Sequence, residues 1–82
     1  MERSEMRIRV ELFLHLTKHA PSGDSPADLD VPDGATVDSV ITRLGILGRV
    51  EKVVLVDGRV RDLSYTLADG QTLTVFPPLE GG

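Results

Sequence analysis

Residues 27–44 read ADLDVPDGATVDSVITRL, and the spacing of their apolar side chains changes within this stretch. Up to the turn at residues 32–34, Pro-Asp-Gly, Leu29 and Val31 alternate with aspartates, which is typical of a half-buried β-strand. Beyond the turn, apolar residues fall at i, i+3, i+4 and i+7, which is typical of an amphipathic helix; they are Val37, Val40, Ile41 and Leu44. The stretch therefore predicts a strand over residues 27–31, a turn and a short helix.

The predicted helix has suitable residues at both ends. Thr36 can cap the first turn with its side-chain oxygen, and Asp38 places a negative charge where the helix dipole favours one. Gly45 follows the last apolar residue, where a glycine commonly ends a helix. Because so short a helix is not stable alone in water, we expect it to pack on a sheet.

A first strand is predicted over residues 6–14, where the two sides of the chain differ in polarity. The core side is predicted to carry Ile8, Val10, Leu12 and Leu14, and the other side Arg7, Arg9, Glu11 and Phe13. Residues 15–25 contain Pro21, Gly23 and several small polar residues, so they are predicted to form a long exposed loop.

The second half of the chain predicts the returning strands. The aliphatic run at residues 53–56 ends at Asp57-Gly58, and it is predicted to be the central, most buried strand, followed by a short strand near Val60. A last strand is predicted over residues 72–76, and Pro77-Pro78 ends it.

This order of elements predicts an α+β fold, the ubiquitin-like β-grasp: a mixed four- to five-stranded sheet with one main helix packed on one face. Residues 1–78 are predicted to form a single domain, because a chain of 82 residues has material for one core. Residues 1–5 are expected to be disordered, and residues 79–82 are expected to form a flexible tail.

Composition excludes several classes of function. The chain has no cysteine, which excludes disulfides, thiolate metal sites and cysteine nucleophiles. Thirteen acidic and nine basic residues give a net charge of −4, which disfavours nucleic-acid binding and favours docking on a basic surface of a larger protein. No apolar run approaches the roughly 18 residues of a membrane span, and the first residues do not read as a signal peptide, so we expect a cytoplasmic protein.

No conventional active site or metal site is predicted. His15 and His19 are spaced i, i+4 but lack a fixed third ligand, so we interpret them as exposed polar residues. The aspartates at 28, 30 and 33 are interleaved with a strand pattern and lack the glycine and glutamate of an EF-hand loop. The glycines form no phosphate-binding motif, and we expect no metal and no bound cofactor.

The end of the sequence is the remaining candidate site. Gly81 and Gly82 lack Cβ atoms, so the last residues can pass through a narrow channel and present only the chain carboxylate. Use of that carboxylate as an acyl donor requires activation, which adenylation with ATP provides. The alternative interpretation is a frayed terminus or a cloning scar.

A candidate docking surface lies beside this tail. If the alternating aliphatic residues of the first and last strands face the core, Phe13 and Phe76 both point away from it. The first and last strands of a β-grasp sheet are neighbours, so the two phenylalanines are predicted to form an exposed apolar patch. The alternative is that the long loop or residues near Tyr65 cover them.

Nearly the whole chain resembles the MoaD/ThiS family of sulfur carrier proteins. The resemblance rests on residues 7–14, 31–37, 54–59 and 67–70, and most specifically on residues 75–82, Val-Phe-Pro-Pro-Leu-Glu-Gly-Gly. The diproline is similar to the small subunit of molybdopterin synthase rather than to the thiazole-forming carriers. Two features differ from that subunit: the segment between helix and strand, residues 45–52, is shorter, and Glu80 stands where a small or neutral residue is commoner.

The resemblance implies a mechanism. An E1-like adenylating enzyme would activate Gly82 with ATP, and the carboxylate would become a thiocarboxylate that donates its sulfur. Gly81 would keep the tail slim, while Phe76 and Pro78, with Pro77 between them, would set its exit direction. Leu79 is expected to contact partners together with the phenylalanine patch.

The chain would then not be catalytic alone. It would be the sulfur-donating subunit beside the large subunit of molybdopterin synthase, or beside another sulfur-accepting enzyme, in molybdenum or tungsten cofactor biosynthesis. Three alternatives stay open: a thiamine-type (thiazole) sulfur carrier, a ubiquitin-like modifier conjugated to lysines through Gly82, and a binding module without carrier chemistry.

Overall fold

The computed structural model describes residues 5–78, without the side chain of Ser22. Within that range the elements are β1 (Glu5–Leu12), β2 (Ala27–Pro32), α1 (Val37–Arg43), β3 (Val53–Val56), β4 (Arg59–Val60) and β5 (Thr72–Phe76). Two 3-10 turns, Leu14–His19 and Pro21–Gly23, connect β1 to β2. Because β1 begins at Glu5, that residue is ordered in a strand, contrary to the prediction that residues 1–5 are disordered.

The strands form one mixed sheet in the order β2-β1-β5-β3-β4. β1 and β5 run parallel, and the other neighbouring pairs are antiparallel. α1 follows the first hairpin and packs its apolar side chains on one face of this sheet. The predicted β-grasp fold is therefore confirmed.

The prediction that residues 53–56 form the central strand is wrong. β5 is central, since it pairs with β1 on one side and with β3 on the other. In β3, Val54 and Val56 are buried, whereas Val53 and Leu55 are only half-buried. An uninterrupted aliphatic run therefore does not require burial on both faces: here the second face of β3 is an apolar part of the surface.

The core lies between the sheet and α1. It is built from alternate residues of the strands, the apolar stripe of α1 and a few residues of the connecting segments: Met6, Ile8, Val10, Leu12, Leu16, Val31, Ala35, Val37, Val40, Ile41, Ile46, Val54, Val56, Leu67, Leu73 and Val75. No polar or charged residue is buried in the part of the chain that the structure describes.

Leu14 is not a core residue, contrary to the sequence prediction. β1 ends at Leu12, and Leu14 adopts a positive φ of 56°, which turns the chain and leaves its side chain 64% exposed. Leu16 enters the core instead, at 1% exposure, from within the segment predicted to be an exposed loop. Strand periodicity cannot be extended past a residue whose backbone leaves the strand conformation.

The predicted N-cap of α1 is present and is stronger than expected. Thr36 Oγ1 accepts a hydrogen bond from the Ser39 N–H at 3.2 Å, and Ser39 Oγ accepts one from the Thr36 N–H at 3.0 Å. The N–H groups of Val37 and Asp38 donate to the carbonyls of Tyr65 and Leu63, which anchors the segment between β4 and β5 to the helix. Gly45, with φ of 85°, follows the helix as predicted.

Candidate functional site

The root of the C-terminal tail lies at the end of the central strand. β5 ends at Phe76, and Pro77 and Pro78 follow. Proline has no N–H and a fixed φ, so the two prolines cannot continue the hydrogen-bond ladder and the chain must leave the sheet there. Leu79, Glu80, Gly81 and Gly82 lie outside the described residues, so their predicted roles stay predictions.

Three chain segments meet at this end of the sheet. Because β1 is parallel to β5, the residue after β1, Phe13, arrives beside the end of β5, and its N–H donates to the carbonyl of Val75 at 3.2 Å. Because β3 is antiparallel to β5, its first residue, Val53, pairs with Phe76. The tail root is therefore flanked by β1 on one side and by β3 on the other.

Apolar side chains lie on the sheet face opposite the helix, beside the tail root. Phe13 has an extended backbone and follows the buried Leu12, so its side chain points to that opposite face, where it is 48% exposed. Phe76 alternates with the buried Val75 and is half-buried on the same face. The two phenylalanines thus lie on neighbouring strands at the same end of the sheet.

The apolar surface is larger than the two phenylalanines. Val53 pairs with Phe76, Leu55 pairs with Val60 across the β3–β4 hairpin, and all of them face away from α1. Val60 is 74% exposed. We call this set the open-face patch: Phe13, Val53, Leu55, Val60 and Phe76.

Sequence reasoning missed the β3 and β4 members of the patch. A run of four aliphatic residues places alternate side chains on both faces of a sheet, and this pattern fits an exposed apolar face as well as burial on both faces. Tyr65 does not cover the phenylalanines, because its ring lies under the Arg61 guanidinium at 4.8 Å and its hydroxyl accepts a hydrogen bond from Gln71 at 3.2 Å.

A groove of about 640 Å³ begins at the tail root. Pro78 lines one end, and the walls come from the segment before β3 and from the segment after β4, residues 48–54 and 60–63. Lys52 holds the first wall in shape, because its Nζ donates to the carbonyls of Val50 at 2.8 Å and Gly48 at 3.3 Å. The groove therefore lies beside the point where the chain continues from Pro78.

Asp57 fastens the β3–β4 turn to the start of β5. Its carboxylate accepts a hydrogen bond from the Thr72 N–H at 2.9 Å and one from Gln71 Nε2 at 3.3 Å. Its own N–H donates to the Thr72 carbonyl at 2.9 Å, and its φ is 50°. The sequence predicted a turn here, but not that the aspartate holds the two hairpin strands against the strand that carries the tail.

The other residues considered as ligands do not assemble into a site. His15 is exposed and His19 half-buried on the first 3-10 turn. Among residues 5–78, no group of three or more histidines, aspartates and glutamates is arranged to hold a metal ion. No helix in that range is both long and apolar enough to cross a membrane.

Solved structures of two Haloferax volcanii proteins are similar to this chain. SAMP1, small archaeal modifier protein 1, is 28% identical with a TM-score of 0.73, and the match covers 93% of this chain and 99% of SAMP1. The HVO 2177 protein is 26% identical with a TM-score of 0.80, covering 100% of this chain and 92% of that one.

A third structure shows the same fold at lower identity. It is the protein–protein complex of subunits 1 and 2 of molybdopterin-converting factor from Helicobacter pylori, 16% identical with a TM-score of 0.59, covering 94% of this chain and 100% of the matched one. A search of curated protein sequences gave no match.

The family assignment rests on the sequence itself. The model of the ThiS family matches residues 16–82, which includes α1, the β3–β4 hairpin, β5 and the tail. The matched range therefore contains the tail root and most of the open-face patch. The resemblance predicted from the tail is confirmed, and this chain belongs to the ThiS family, the MoaD/ThiS group of ubiquitin-like sulfur carriers.

Proposed function

We propose that this chain carries sulfur as a thiocarboxylate on Gly82. An activating enzyme of the E1-like class would join the Gly82 carboxylate to the AMP portion of ATP, with release of pyrophosphate. A sulfur nucleophile would then displace AMP and leave the sulfur on the glycine carbonyl carbon. The chain supplies the acyl group, and the enzymes supply the nucleotide and the sulfur.

The position of the tail root beside the open-face patch is the observation that supports this proposal most. A reactive carboxylate must enter the active site of another protein, and an apolar surface at the base of the tail gives that protein a place to bind. Phe76 belongs to the patch and is also the last residue of β5, directly before the prolines, so docking at the patch fixes where the tail starts.

We further propose that the sulfur goes to a molybdopterin precursor, with this chain as the small subunit of a molybdopterin synthase-type complex. The diproline at residues 77–78, before the terminal Gly-Gly, supports this choice over the thiazole pathway. The Helicobacter pylori protein of the same fold is solved in complex with a second subunit, and the open-face patch is suited to such a partner.

Intact-mass spectrometry tests the carrier role. The chain is incubated with ATP, a sulfur source and its cognate activating enzyme, beside a control chain that lacks Gly82. We expect the full chain to gain the mass difference between one sulfur and one oxygen, and the control to gain nothing. If the mass of the full chain does not change although the enzyme releases pyrophosphate, the proposal is contradicted.

A second function, conjugation to protein lysines, is favoured by one observation. The similar Haloferax volcanii protein is named a modifier, and its identity to this chain is 28%. The same reaction discriminates the two functions when a lysate is added, because a modifier forms adducts in which Gly82 is joined to a lysine by an amide. Peptides that carry such a remnant would support the modifier, and a thiocarboxylate without them supports the carrier.

A further inference from the structure

β2 is an edge strand long enough to pair with another chain. It pairs with β1 on one side, and in the described range no strand lies on its other side. The opposite edge of the sheet, β4, is only two residues long. Edge strands of six residues are templates for strand addition unless something covers them.

The hydrogen bonds show which backbone groups of β2 point outward. The N–H of Arg7 donates to Asp69 Oδ1 and its carbonyl accepts from the Gly70 N–H, so both groups of Arg7 face β5 rather than β2. Arg7 pairs with Asp30, and this pair is therefore not hydrogen-bonded through the backbone. The backbone groups of Asp30, and of Asp28 two residues before it, consequently point away from β1.

The side chain of Arg43 already occupies part of this edge. Its Nη1 donates to the carbonyl of Asp30 at 2.8 Å, which confirms that this carbonyl faces outward. The donor comes from an exposed side chain of α1 and not from another strand. An incoming backbone N–H can take the place of this side-chain donor at the Asp30 carbonyl.

A groove runs beside the edge, between β2 and α1. Its volume is about 210 Å³, and it is lined by Val31, Pro32, Ala35, Ser39, Val40 and Arg43. The lining is mainly apolar, and the groove lies on the helix side of the sheet. A strand added to β2 would direct every second side chain toward this groove.

The negative charge near β2 determines which kind of partner segment can bind there. Residues 24–38 contain five aspartates and no lysine, arginine or histidine, and all five aspartates are exposed: Asp24, Asp28, Asp30, Asp33 and Asp38. Arg7 Nε donates to Asp30 Oδ1 at 2.9 Å, and this bond raises the pKa of Arg7, whereas Arg43 contacts the backbone carbonyl of Asp30 and not a carboxylate. An acidic partner strand would be repelled here.

We propose that the β2 edge and its groove bind an extended segment of a partner protein in which apolar residues alternate with lysine or arginine. The backbone of the segment pairs with Asp28 and Asp30, its apolar side chains enter the groove, and its cations lie beside the aspartate carboxylates. A second copy of this chain is disfavoured at this edge, because pairing two β2 strands brings like charges together.

This surface is distinct from the one used in the proposed carrier function. β2 is one edge of the sheet and its groove opens on the helix side, whereas the open-face patch lies on the other face and is centred on β3, β4 and the end of β5, toward the opposite edge. Both surfaces can therefore be occupied at the same time. A protein bound at β2 can therefore hold this chain while the C-terminal tail of the chain enters the active site of an enzyme.

A titration of the isotope-labelled full chain with the peptide Lys-Val-Lys-Val-Lys-Val-Lys tests the proposal by NMR. We expect saturable shifts at the amides of Asp28, Asp30, Val31 and Val40, with Leu55 and Phe76 unaffected. A peptide with glutamate in place of lysine should not bind. In antiparallel pairing the lysines, not the valines, lie opposite Asp28 and Asp30 and exchange backbone hydrogen bonds with them, so proline at the two lysines that flank the central valine should bind about tenfold more weakly than alanine at the same two positions. Shifts centred on the open-face patch, or equal binding of the proline and alanine peptides, would overturn the proposal.

A matched pair of variants separates a specific edge from general charge attraction. Asp28→Lys should weaken peptide binding at least about tenfold, while Asp62→Lys, the same charge change outside the edge, should change it less than about twofold. Equal losses in both variants would contradict a specific edge. A folded spectrum is checked for each, and Asp28→Asn replaces Asp28→Lys if that chain does not fold. If sedimentation shows that the free chain forms a dimer through β2, the edge is an interface between two copies of this chain, and the proposal is also overturned.

Discussion

Leu14 combines two costs: a left-handed backbone with φ of 56° and an apolar side chain in water. For residues other than glycine, asparagine and aspartate this conformation costs roughly 1–2 kcal/mol. We expect Leu14→Asn to raise the free energy of unfolding by about 1 kcal/mol, because asparagine adopts the conformation more readily. Urea unfolding measures the change.

Leu47 provides the control for this substitution. It is 54% exposed and is not among the residues with positive φ, so Leu47→Asn relieves no backbone strain and should be close to neutral. If Leu14→Asn were instead destabilising, Leu14 would be held in place by apolar contacts and its conformation would not be a cost.

The open-face patch should carry binding energy. We expect Phe76→Ala and Val60→Asp each to weaken binding of the cognate activating enzyme by about 1–3 kcal/mol, measured by calorimetry. Val60 is 74% exposed, so its substitution separates docking from folding. Leu47→Asp, an equivalent change outside the patch, should leave the affinity unchanged, and equal effects of the two aspartates would remove the patch as the docking surface.

At the scale of secondary-structure elements, Asp57 connects the β3–β4 hairpin to β5 through both its carboxylate and its backbone. Asp57→Ala should lower the free energy of unfolding by about 1–3 kcal/mol, since the Thr72 N–H loses its acceptor and alanine is strained at φ of 50°. Asp57→Asn keeps an acceptor oxygen and tolerates the conformation, so it should cost clearly less. Equal costs for the two variants in urea unfolding would show that the hydrogen bond contributes little.

Elements whose pattern is local could be predicted from the sequence. α1 has its apolar stripe, its Thr36 cap and its Gly45 stop within ten residues, so the sequence alone locates it. β1, β2 and β5 show alternation that needs no knowledge of their partners. The fold class follows from their order.

Features that depend on distant pairing could not be predicted in the same way. Which strand is central is decided by contacts between β1 and β5, about sixty positions apart, and an aliphatic run such as residues 53–56 carries no information about its neighbours. The open-face patch likewise exists because Val53 meets Phe76 and Leu55 meets Val60. The turn at Leu14 escaped prediction because leucine seldom adopts a positive φ.

At the scale of the whole molecule, folding and carrier chemistry should be separable. The core and the strand pairs described above lie within residues 5–78, so a chain without Gly82 should keep its folded circular dichroism spectrum and its unfolding midpoint. The same chain should fail to form a thiocarboxylate. A loss of folded structure on this deletion would show that the last residue has a structural role.

The parallel pairing of β1 with β5 also governs when the domain can form during synthesis. Arg9 pairs opposite Thr72, so the first strand made must wait for the last strand before the middle of the sheet closes. A nascent or truncated chain that stops before β5 has nothing to join β1 to β3, and such long-range closure is slow. Unfinished copies therefore present neither the complete sheet nor the open-face patch.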